Sequence, residues 1–363
     1  MFNILIGLTG SVASLKALKL VNEFESLGDI KIVATKAAYY FLLQSGDLAE
    51  LKTKAEIFVD ESEWPVKYSL GDEILHIELR RWASCFVIAP LDANSLAKIT
   101  HGMCDNLLTS VARAWDWSKP MFLAPAMNTL MMEHPITDMQ LDVLKTWGAI
   151  VVPPQCKKLA CGDIGIGAMA SIGDIYKRVN EKLRWAFPLK KCSGMPINHH
   201  PGAFGFHRKK NHHTGIDLYT NDGEEVFAVE DGTVVKVDYF TGPKVGHDWW
   251  EETWGVMIEG ASGVVNYGEV TPHVKLGDKV SRYGLIGHVK RVLFQDKIRP
   301  DIPGHSTSML HLELYKQGTR DFADWHDPQK NPDLIDPTPY LMSAEWSPRK
   351  TLTWDNTEGK NVG

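Results

Sequence analysis

Cys161 is the residue whose possible chemistry is most distinctive in this sequence. It lies in the segment ACGDIGIGAM, residues 160–169, among three glycines, and no second cysteine stands at metal-ligand spacing. A thiol with an ordinary pKa of about 8.5 is protonated at neutral pH, so it can donate a proton, whereas a nucleophile would need the thiolate. The simpler alternative for a lone cysteine is a small buried side chain.

A second group of residues has the types that bind zinc. His213 and Asp217 are four residues apart in HHTGIDLY, and His311 lies in SMLHLELY. On an extended segment, residues four apart point to one face, and a third ligand could then complete a site with one open position. The alternative is that these are ordinary loop histidines.

Glycine and asparagine follow the predicted strands of the first half. In IGLTGSVASLKAL a strand runs through Thr9, Gly10 and Ser11 into a helix, whose free N–H groups suit an anion. The segments IAPLDANS and LAPAMNTLMMEHP each contain Ala-Pro at the end of a predicted strand, followed a few residues later by an Asn. Asn94 and Asn128 offer both a donor and an acceptor to a flavin edge or a carboxylate, although either could simply cap its helix.

The elements that must position these residues follow two different patterns. Up to about residue 187, apolar runs such as FNILIGL, DIKIVAT, ASCFVIAP, PMFLAP and AIVVPP alternate with the helical patterns LKALKLVNEFESLG, ANSLAKITHGMCDNLLTSVARAW and TDMQLDVLKTWG. This alternation predicts an α/β fold, a flavodoxin/Rossmann-like three-layer αβα domain with a parallel sheet. From about residue 195, short strands separated by Gly, Asp and Pro predict a smaller all-β domain. With FPLKKCSGMP as the linker, we expect domains at residues 1–188 and 196–345.

Composition limits the possible partners. The chain has 363 residues, 44% of them hydrophobic, and its net charge of -6 provides no basic surface for nucleic acid or anionic lipid. The start has no signal-peptide pattern, and no run of 18 apolar residues predicts a membrane span. We therefore expect a cytoplasmic protein with small-molecule partners, and its five scattered cysteines fit reduced thiols there. They are Cys85, Cys104, Cys156, Cys161 and Cys192.

Six short motifs follow one another along the first half of the chain: TGSVA, LHIELRRWA, APLDAN, CDNLLT, PAMNTLMMEHP and ACGDIGIGAM. Together they resemble the flavin-containing cysteine decarboxylase family over roughly residues 2–187. The resemblance implies an FMN enzyme that decarboxylates 4'-phospho-N-pantothenoylcysteine to 4'-phosphopantetheine in coenzyme A synthesis. It also implies a homotrimer with the flavin site at a subunit contact.

The same resemblance assigns roles to residues. His76 would be the active-site base, Asn128 would hold the substrate carboxylate, Met131 would pack in the same pocket, and Cys161 would return a proton to the enethiolate. The residues that would contact FMN are Gly10, Ser11, Val12, Thr35, Asp92, Ala93, Asn94 and Ala126. Those that would contact the substrate, besides Asn128, are Lys158, Ala160 and Met169.

Two features bear on these roles. The pair Lys157-Lys158 could neutralise a substrate phosphate, or it could be a solvated basic turn. The family pattern PxMNxxMW ends here in Met132 instead of Trp, so a flexible thioether replaces a rigid ring.

A branch of the same family without enzyme activity regulates a protein phosphatase. An FMN-binding regulatory subunit is therefore an alternative function. The joint presence of His76, Asn128 and Cys161 favours the enzyme.

The second half resembles the lysostaphin-type zinc endopeptidases over roughly residues 200–316, in segments such as HTGIDLYTNDGEEVFAVEDGTVVKV. His213, Asp217 and His311 match that family's zinc ligands. The family's two further histidines are replaced here by Met309 and Glu269. Loss of one oxyanion-stabilising or acid-base group typically lowers the rate about 10²- to 10³-fold, so the loss of both histidines would leave little peptidase activity. We therefore expect a zinc-stabilised β-domain that serves binding or assembly.

Peptidase activity stays open as an alternative. A carboxylate such as that of Glu269 can act as a general base next to zinc-bound water.

Overall fold

The computed structural model describes residues 2–64, 69–117, 119–158, 162, 164–207, 212–248, 250–294, 308–324, 331–344 and 353–354. The chain divides into two units, Met1–Lys182 and Leu183–Gly363. Among the described residues, no helix combines the length and the apolar character needed to cross a membrane.

The first unit contains a six-stranded parallel sheet in the order β3-β2-β1-β4-β5-β6, flanked by helices, and a separate two-stranded hairpin, β7-β8. Its strands are β1 Phe2–Leu8, β2 Gly28–Ala34, β3 Glu56–Phe58, β4 Cys85–Leu91, β5 Met121–Pro125, β6 Ile150–Val151, β7 Gln155–Lys158 and β8 Ile164–Ala168. Its helices are α1 Ala17–Phe24, α2 Lys36–Gln44, α3 Leu48–Lys54, α4 Leu75–Trp82, α5 Ala93–Thr100, α6 Leu107–Arg113, α7 Thr129–Met132, α8 Pro135–Thr146 and α9 Ile172–Leu183. The predicted α/β class is confirmed.

The central strands are apolar along their whole length because both faces of a parallel sheet are covered by helices. All seven residues of β4 and all five of β5 are buried. The segment 93–115, predicted as helical, divides into α5 and α6. Gly102 adopts a positive φ of 70° between them, and the Asn106 side chain caps α6 by accepting from the Thr109 N–H at 2.9 Å.

The second unit is built on a nine-stranded antiparallel sheet, which confirms the predicted all-β class. The main path runs β10-β17-β14-β13-β12-β15, with β11, β16 and β18 joined to it. The strands are β9 Met195–Pro196, β10 Ile216–Thr220, β11 Glu225–Phe227, β12 Gly232–Thr241, β13 Thr253–Gly260, β14 Val264–Pro272, β15 Lys279–Val280, β16 Leu285–Val289, β17 Ser308–Tyr315, β18 Leu334–Ile335 and β19 Thr353–Trp354. One helix, α10 Thr338–Ser343, follows β18.

Strand β17 lies between β10 and β14, and this position fixes where His311 points. His311 pairs with Asp217 of β10 on one side and with Gly268 of β14 on the other. Because side chains alternate along a strand, Met309, His311 and Glu313 share one face. His311 and Glu313 are buried there, and Met309 is half-buried.

Candidate functional site

A cavity of about 600 Å³ opens at the carboxyl ends of β1, β4 and β5. The sheet order reverses between β1 and β4, and ligands of open α/β sheets bind at such a switch point. The cavity is lined by Gly10, Ser11, Val12, Ala13, Leu15, Lys16, Asp92, Ala93, Asn94, Ala126, Met127, Asn128, Met131, Lys157, Gly167, Ala168 and Met169.

Hydrogen bonds between the strand ends hold this edge of the sheet together. The buried hydroxyl of Thr9 donates to the Pro90 carbonyl at 2.8 Å and accepts from the Asp92 N–H at 2.7 Å. The Ala126 N–H donates to the Leu91 carbonyl at 2.9 Å. The loops that follow the neighbouring strands β1, β4 and β5 are therefore held to one another by hydrogen bonds.

Gly10 is the residue whose small size this arrangement requires. A Cβ atom at this position would lie 2.7 Å from Oδ2 of Asp92 and 2.9 Å from the Cβ of Ala37. Any larger residue would displace the β1 and β4 loops from each other. Glycine therefore leaves the floor of the cavity open.

The structure brings most of the predicted flavin and substrate residues to this cavity. Those that line it are Gly10, Ser11, Val12, Asp92, Ala93, Asn94, Ala126, Asn128, Met131 and Met169. Thr35 is not among them: its hydroxyl accepts from the Ala38 N–H at 3.2 Å and caps α2. Ala160, Cys161 and the side chain of Lys158 lie outside the described residues.

His76 does not line the cavity either. It is the second residue of α4 and is half-buried. Its Nδ1 lies 2.5 Å from Oε1 of Glu63, and its backbone N–H donates to Oε2 of the same carboxylate at 3.1 Å. One glutamate therefore holds both the ring and the backbone of this histidine.

Asn128 is held at the start of α7. Its Oδ1 accepts from the Leu130 N–H at 2.9 Å, as the capping alternative predicts. Since Oδ1 is used in this way, Nδ2 is the atom of the side chain that can donate to a ligand carboxylate.

The β7-β8 hairpin closes one side of the cavity through a close backbone approach. The Met127 N–H donates to the Gly167 carbonyl at 2.9 Å. Gly167 has a φ of 134°, and a Cβ there would lie 2.2 Å from the Met127 carbonyl oxygen. Glycine at this position therefore allows both the positive φ and the close packing of the hairpin against Met127.

Met132, where the family pattern has Trp, points away from the cavity. Its side chain is 7% exposed and belongs to the core cluster that includes Leu96, Met127 and Leu141. Met131, its neighbour, lines the cavity and is 48% exposed. The substitution therefore affects core packing and not the cavity wall.

Two lysines, Lys16 and Lys157, line the same cavity. Partial burial lowers the pKa of Lys16, and the nearby charges of Lys157 and Lys19 lower it further. Two like charges held together are unfavourable unless an anion lies between them. This part of the cavity therefore suits a phosphate.

In the second unit, a different group of side chains converges. Nε2 of His213 lies 3.0 Å from Oδ1 of Asp217 and 3.2 Å from Nδ1 of His311, and these last two atoms are 2.8 Å apart. All three side chains are at least 95% buried. Among the described residues this is the one group of three or more His, Cys, Asp or Glu that could hold a metal ion.

His213 reaches this position from outside the named strands. It precedes β10, and its backbone exchanges hydrogen bonds with residues 205 and 206 at 2.9 and 3.0 Å. Asp217 lies within β10. The pair meets because the loop folds back beside the strand.

The other ring nitrogen of each histidine lies against an oxygen atom of the protein. Nδ1 of His213 lies 2.9 Å from the Ala203 carbonyl, and Nε2 of His311 lies 3.2 Å from Oε1 of Glu313. Such acceptors fix the ring orientation and leave the opposite nitrogen for a metal. The donors are therefore His213 Nε2, His311 Nδ1 and a carboxylate oxygen, a set typical of zinc.

Opposite charges in this centre stabilise one another. Burial lowers the pKa of His311, but hydrogen bonds to Asp217 and Glu313 outweigh that effect and raise the pKa to about 10. Burial would raise the pKa of Glu313, yet its contacts with His311 lower the pKa to about 2. The centre therefore holds two carboxylates around one imidazole.

An aromatic side chain covers this centre. The rings of Phe240 and His311 have centroids 5.5 Å apart, and Phe322 packs edge-on against Phe240 at 5.2 Å. Phe240 also fills the space above Gly268, where a Cβ would lie 2.4 Å from its ring. The three candidate ligands are thus shielded from solvent.

A model of the flavoprotein family matches residues 1–184, which is just over half of the chain. The chain belongs to the flavoprotein family. Flavin is therefore the class of cofactor that this family membership indicates for the first unit.

Curated relatives of the flavoprotein unit carry a consistent name. A probable phosphopantothenoylcysteine decarboxylase of Arabidopsis thaliana is 48% identical over 188 residues, which is 52% of this chain and 90% of that protein. The Mus musculus phosphopantothenoylcysteine decarboxylase is 43% identical over 184 residues, which is 50% of this chain and 87% of that protein. A solved phosphopantothenoylcysteine decarboxylase variant in complex with pantothenoylaminoethenethiol is 46% identical, covers 49% of this chain and 96% of its own, and has a TM-score of 0.47.

Outside the flavoprotein match, a model of peptidase family M23 matches residues 211–321. This range contains His213, Asp217 and His311. The resemblance to two families, one in each half of the chain, is confirmed.

Several residues around the two sites were not indicated by the sequence reasoning. Glu63 and Phe240 contact residues that are distant in sequence. Lys16 lies within the segment IGLTGSVASLKAL, but its position there does not show that it lines the cavity. Glu313 is different, because it lies two residues after His311 on the same strand face, and a period of two indicates that contact.

Proposed function

We propose that this chain catalyses the FMN-dependent decarboxylation of 4'-phospho-N-pantothenoylcysteine to 4'-phosphopantetheine. The observation that carries the proposal is the cavity at the switch point, which gathers side chains from the ends of β1, β4 and β5 and from the β7-β8 hairpin. Relatives that are 43–48% identical and named for this activity support it.

The cavity fits a flavin mononucleotide. Its volume of about 600 Å³ lies within the range of cofactor pockets, about 300–1,000 Å³. Gly10 leaves room for close approach to the backbone, and Asp92 and Asn94 offer polar atoms at the next loop. Bound FMN would supply the reversible two-electron oxidation at the cysteine carbon of the substrate.

Residues of the chain would perform the remaining steps. Asn128 would orient the substrate carboxylate through Nδ2, and His76 would accept the substrate proton. Lys16 and Lys157 would bind the substrate phosphate by charge-assisted contacts. Cys161 would return a proton after CO2 has left.

We further propose a homotrimer in which a second copy completes the cavity. His76 lies outside the cavity lining, and the lining includes exposed apolar side chains: Val12 is 43% exposed, Leu15 37% and Met131 48%. An exposed apolar rim of this kind marks a contact surface. A cytoplasmic location and domain limits at residues 1–188 and 196–345 belong to the same proposal.

The direct test is mass spectrometry of 4'-phospho-N-pantothenoylcysteine after incubation with purified FMN-loaded protein, beside Cys161→Ser. Wild type is expected to yield 4'-phosphopantetheine, and the variant to accumulate the oxidised, decarboxylated enethiol. Untouched substrate in the presence of bound FMN would refute the enzyme and favour a flavin-binding regulatory subunit.

For the second unit, we propose a metal-binding domain that lacks peptidase activity. The observation that favours it is the convergence of His213, Asp217 and His311 in a buried centre. A bound zinc ion would link β10, β17 and the loop before β10, because one ligand comes from each of them. Phe240 covers the centre, and Met309 and Glu269 replace the histidines that a peptidase of this type uses.

Metal analysis and thermal unfolding test this second proposal. Purified protein is expected to carry about one zinc ion per chain, and chelation is expected to lower the melting temperature of the second unit. His213→Ala should lose both the metal and the chelator effect. Cleavage of a glycine-rich peptide that stops on chelation would overturn the absence of peptidase activity.

A further inference from the structure

The start of α4 has no cap of its own. The residue before the helix is Ile74, whose side chain cannot accept a hydrogen bond. Glu63 supplies the missing acceptor from a distant turn, since its Oε2 accepts from the His76 N–H at 3.1 Å. A carboxylate at a helix N-terminus is also stabilised by the helix dipole.

The second oxygen of the same carboxylate contacts the imidazole ring. Oε1 of Glu63 lies 2.5 Å from Nδ1 of His76, and the glutamate side chain is only 10% exposed. An ionised carboxylate only accepts hydrogen bonds, so Nδ1 must carry the hydrogen. In the neutral ring the unprotonated nitrogen is then Nε2, on the side away from Glu63.

Both partners are fixed in place. Glu63 ends the short helical turn Asp60–Glu63, and Asp60 anchors this turn to α6 by accepting from the Leu107 N–H at 3.0 Å. The other end of α4 is capped by the buried ammonium of Lys119, which donates to the Ala83 carbonyl at 2.8 Å and to the Arg81 carbonyl at 3.1 Å. Neither residue can leave the contact without moving a packed element.

We propose that Glu63 is a positioning residue that sets the tautomer of His76, so that Nε2 accepts the substrate proton. This inference rests on the proposed decarboxylase function, in which His76 is the base. The S–H bond of the substrate thiol breaks, its proton bonds to Nε2 and its electron pair stays on sulfur. The imidazolium that forms is stabilised by the Glu63 carboxylate.

Glu63→Gln separates this role from simple helix capping. The Gln oxygen can still accept from the His76 N–H, so the cap is preserved, whereas the Gln NH2 donates to Nδ1 and favours the wrong tautomer. We expect kcat to fall by at least about 100-fold, with KM changed less than about threefold. Unfolding temperature and FMN content should stay unchanged. The matched control is Glu61→Gln, since Glu61 is an exposed glutamate in the same turn, and this variant should behave as wild type.

A readout that does not need activity distinguishes failure of this inference from failure of the proposed function. In protein with ¹⁵N-labelled histidine, the resonances of His76, identified by their absence in His76→Gln, report which ring nitrogen is protonated. Wild type is expected to show Nδ1–H, and Glu63→Gln to show Nε2–H. If wild type does not decarboxylate the substrate, the proposed function fails while the NMR result still decides the tautomer. Nε2–H in wild type, or full activity of Glu63→Gln, would overturn the role of Glu63.

Discussion

His311 and Glu313, two residues apart on β17, form an ion-pair contact on one strand face, with Nε2 of the imidazole 3.2 Å from Oε1 of the carboxylate. The other oxygen of Glu313 accepts from Nδ2 of Asn266 at 2.7 Å and from the Tyr315 hydroxyl at 2.6 Å. The carboxylate is fully buried, so its position is fixed. It thereby directs Nδ1 of His311 towards His213 and Asp217.

Glu313→Gln is therefore expected to weaken zinc binding by about 10- to 100-fold, because a neutral amide fixes and polarises the imidazole less well. Competition with a chromophoric chelator measures the affinity, and the absorption bands of the cobalt-substituted protein report the ligand geometry. Tyr315→Phe removes a different contact to the same carboxylate and should change the affinity little. Equal affinities for wild type and Glu313→Gln would show that Glu313 does not act on the metal ligand.

Lys16→Gln is expected to raise KM for the phosphorylated substrate about tenfold or more, because a charge-assisted contact to phosphate is lost. Turnover of the dephosphorylated analogue, pantothenoylcysteine, should not change. Steady-state kinetics with both compounds makes the comparison. Lys19→Gln is the control, since Lys19 is a neighbouring lysine that does not line the cavity. A loss of bound FMN without a change in KM would assign Lys16 to the cofactor phosphate instead.

Gly167→Ala should push the β7-β8 hairpin away from Met127, because the added methyl group would lie 2.2 Å from a carbonyl oxygen. We expect a loss of about 2 kcal/mol or more in the free energy of unfolding and weaker FMN retention. Gly162→Ala isolates backbone strain: Gly162 also has a positive φ, of 97°, but no atom of the described part of the chain lies within 4 Å of a Cβ there. If both variants lose the same stability, close packing at residue 167 contributes nothing.

Glu230 predicts a pH dependence for the second unit. Its side chain is 4% exposed, and burial raises the pKa of the carboxyl to about 7 despite hydrogen bonds from Ser262. The folded state therefore binds the proton more tightly than the unfolded state, so stability is lost as the pH rises from about 4.5 to 7. Glu230→Gln should be more stable than wild type by up to about 3 kcal/mol above pH 7 and equally stable near pH 4.

Urea unfolding at a series of pH values, compared between wild type and Glu230→Gln, measures this difference. Glu225→Gln is a useful contrast, since a hydrogen bond from Lys190 lowers the pKa of Glu225 and removal of its charge should give no gain above neutral pH. A constant difference between wild type and Glu230→Gln at all pH values would contradict the shifted pKa.

The parts of the site that could be predicted from the sequence are those that parallel strands place automatically. Gly10, Asp92 and Asn128 follow three different strands, and the carboxyl ends of parallel strands meet at one edge, so their convergence follows from the fold class. The contact of Glu63 with His76 depends on a turn thirteen residues away, and no periodicity connects the two. Thr35 also follows a strand, yet its hydroxyl is used to cap α2.

Likewise, the zinc-ligand types were evident, but their burial was not. Phe240 covers His311 only because β12 and β17 belong to one folded sheet, which residue spacing does not reveal. The position of Met132 in the core is a similar case, since a sequence pattern does not tell which of two adjacent methionines faces a ligand.

The burial of His213, Asp217 and His311 would have a kinetic consequence for any metal ion that they bind. A metal ion held by side chains that are at least 95% buried can exchange with the solvent only when the surrounding segment opens, and such openings of a packed core are rare. Exchange is then limited by the protein's own opening rate and not by the concentration of competing metal. The ion found in the purified protein would therefore record which metal was present while the chain was folding.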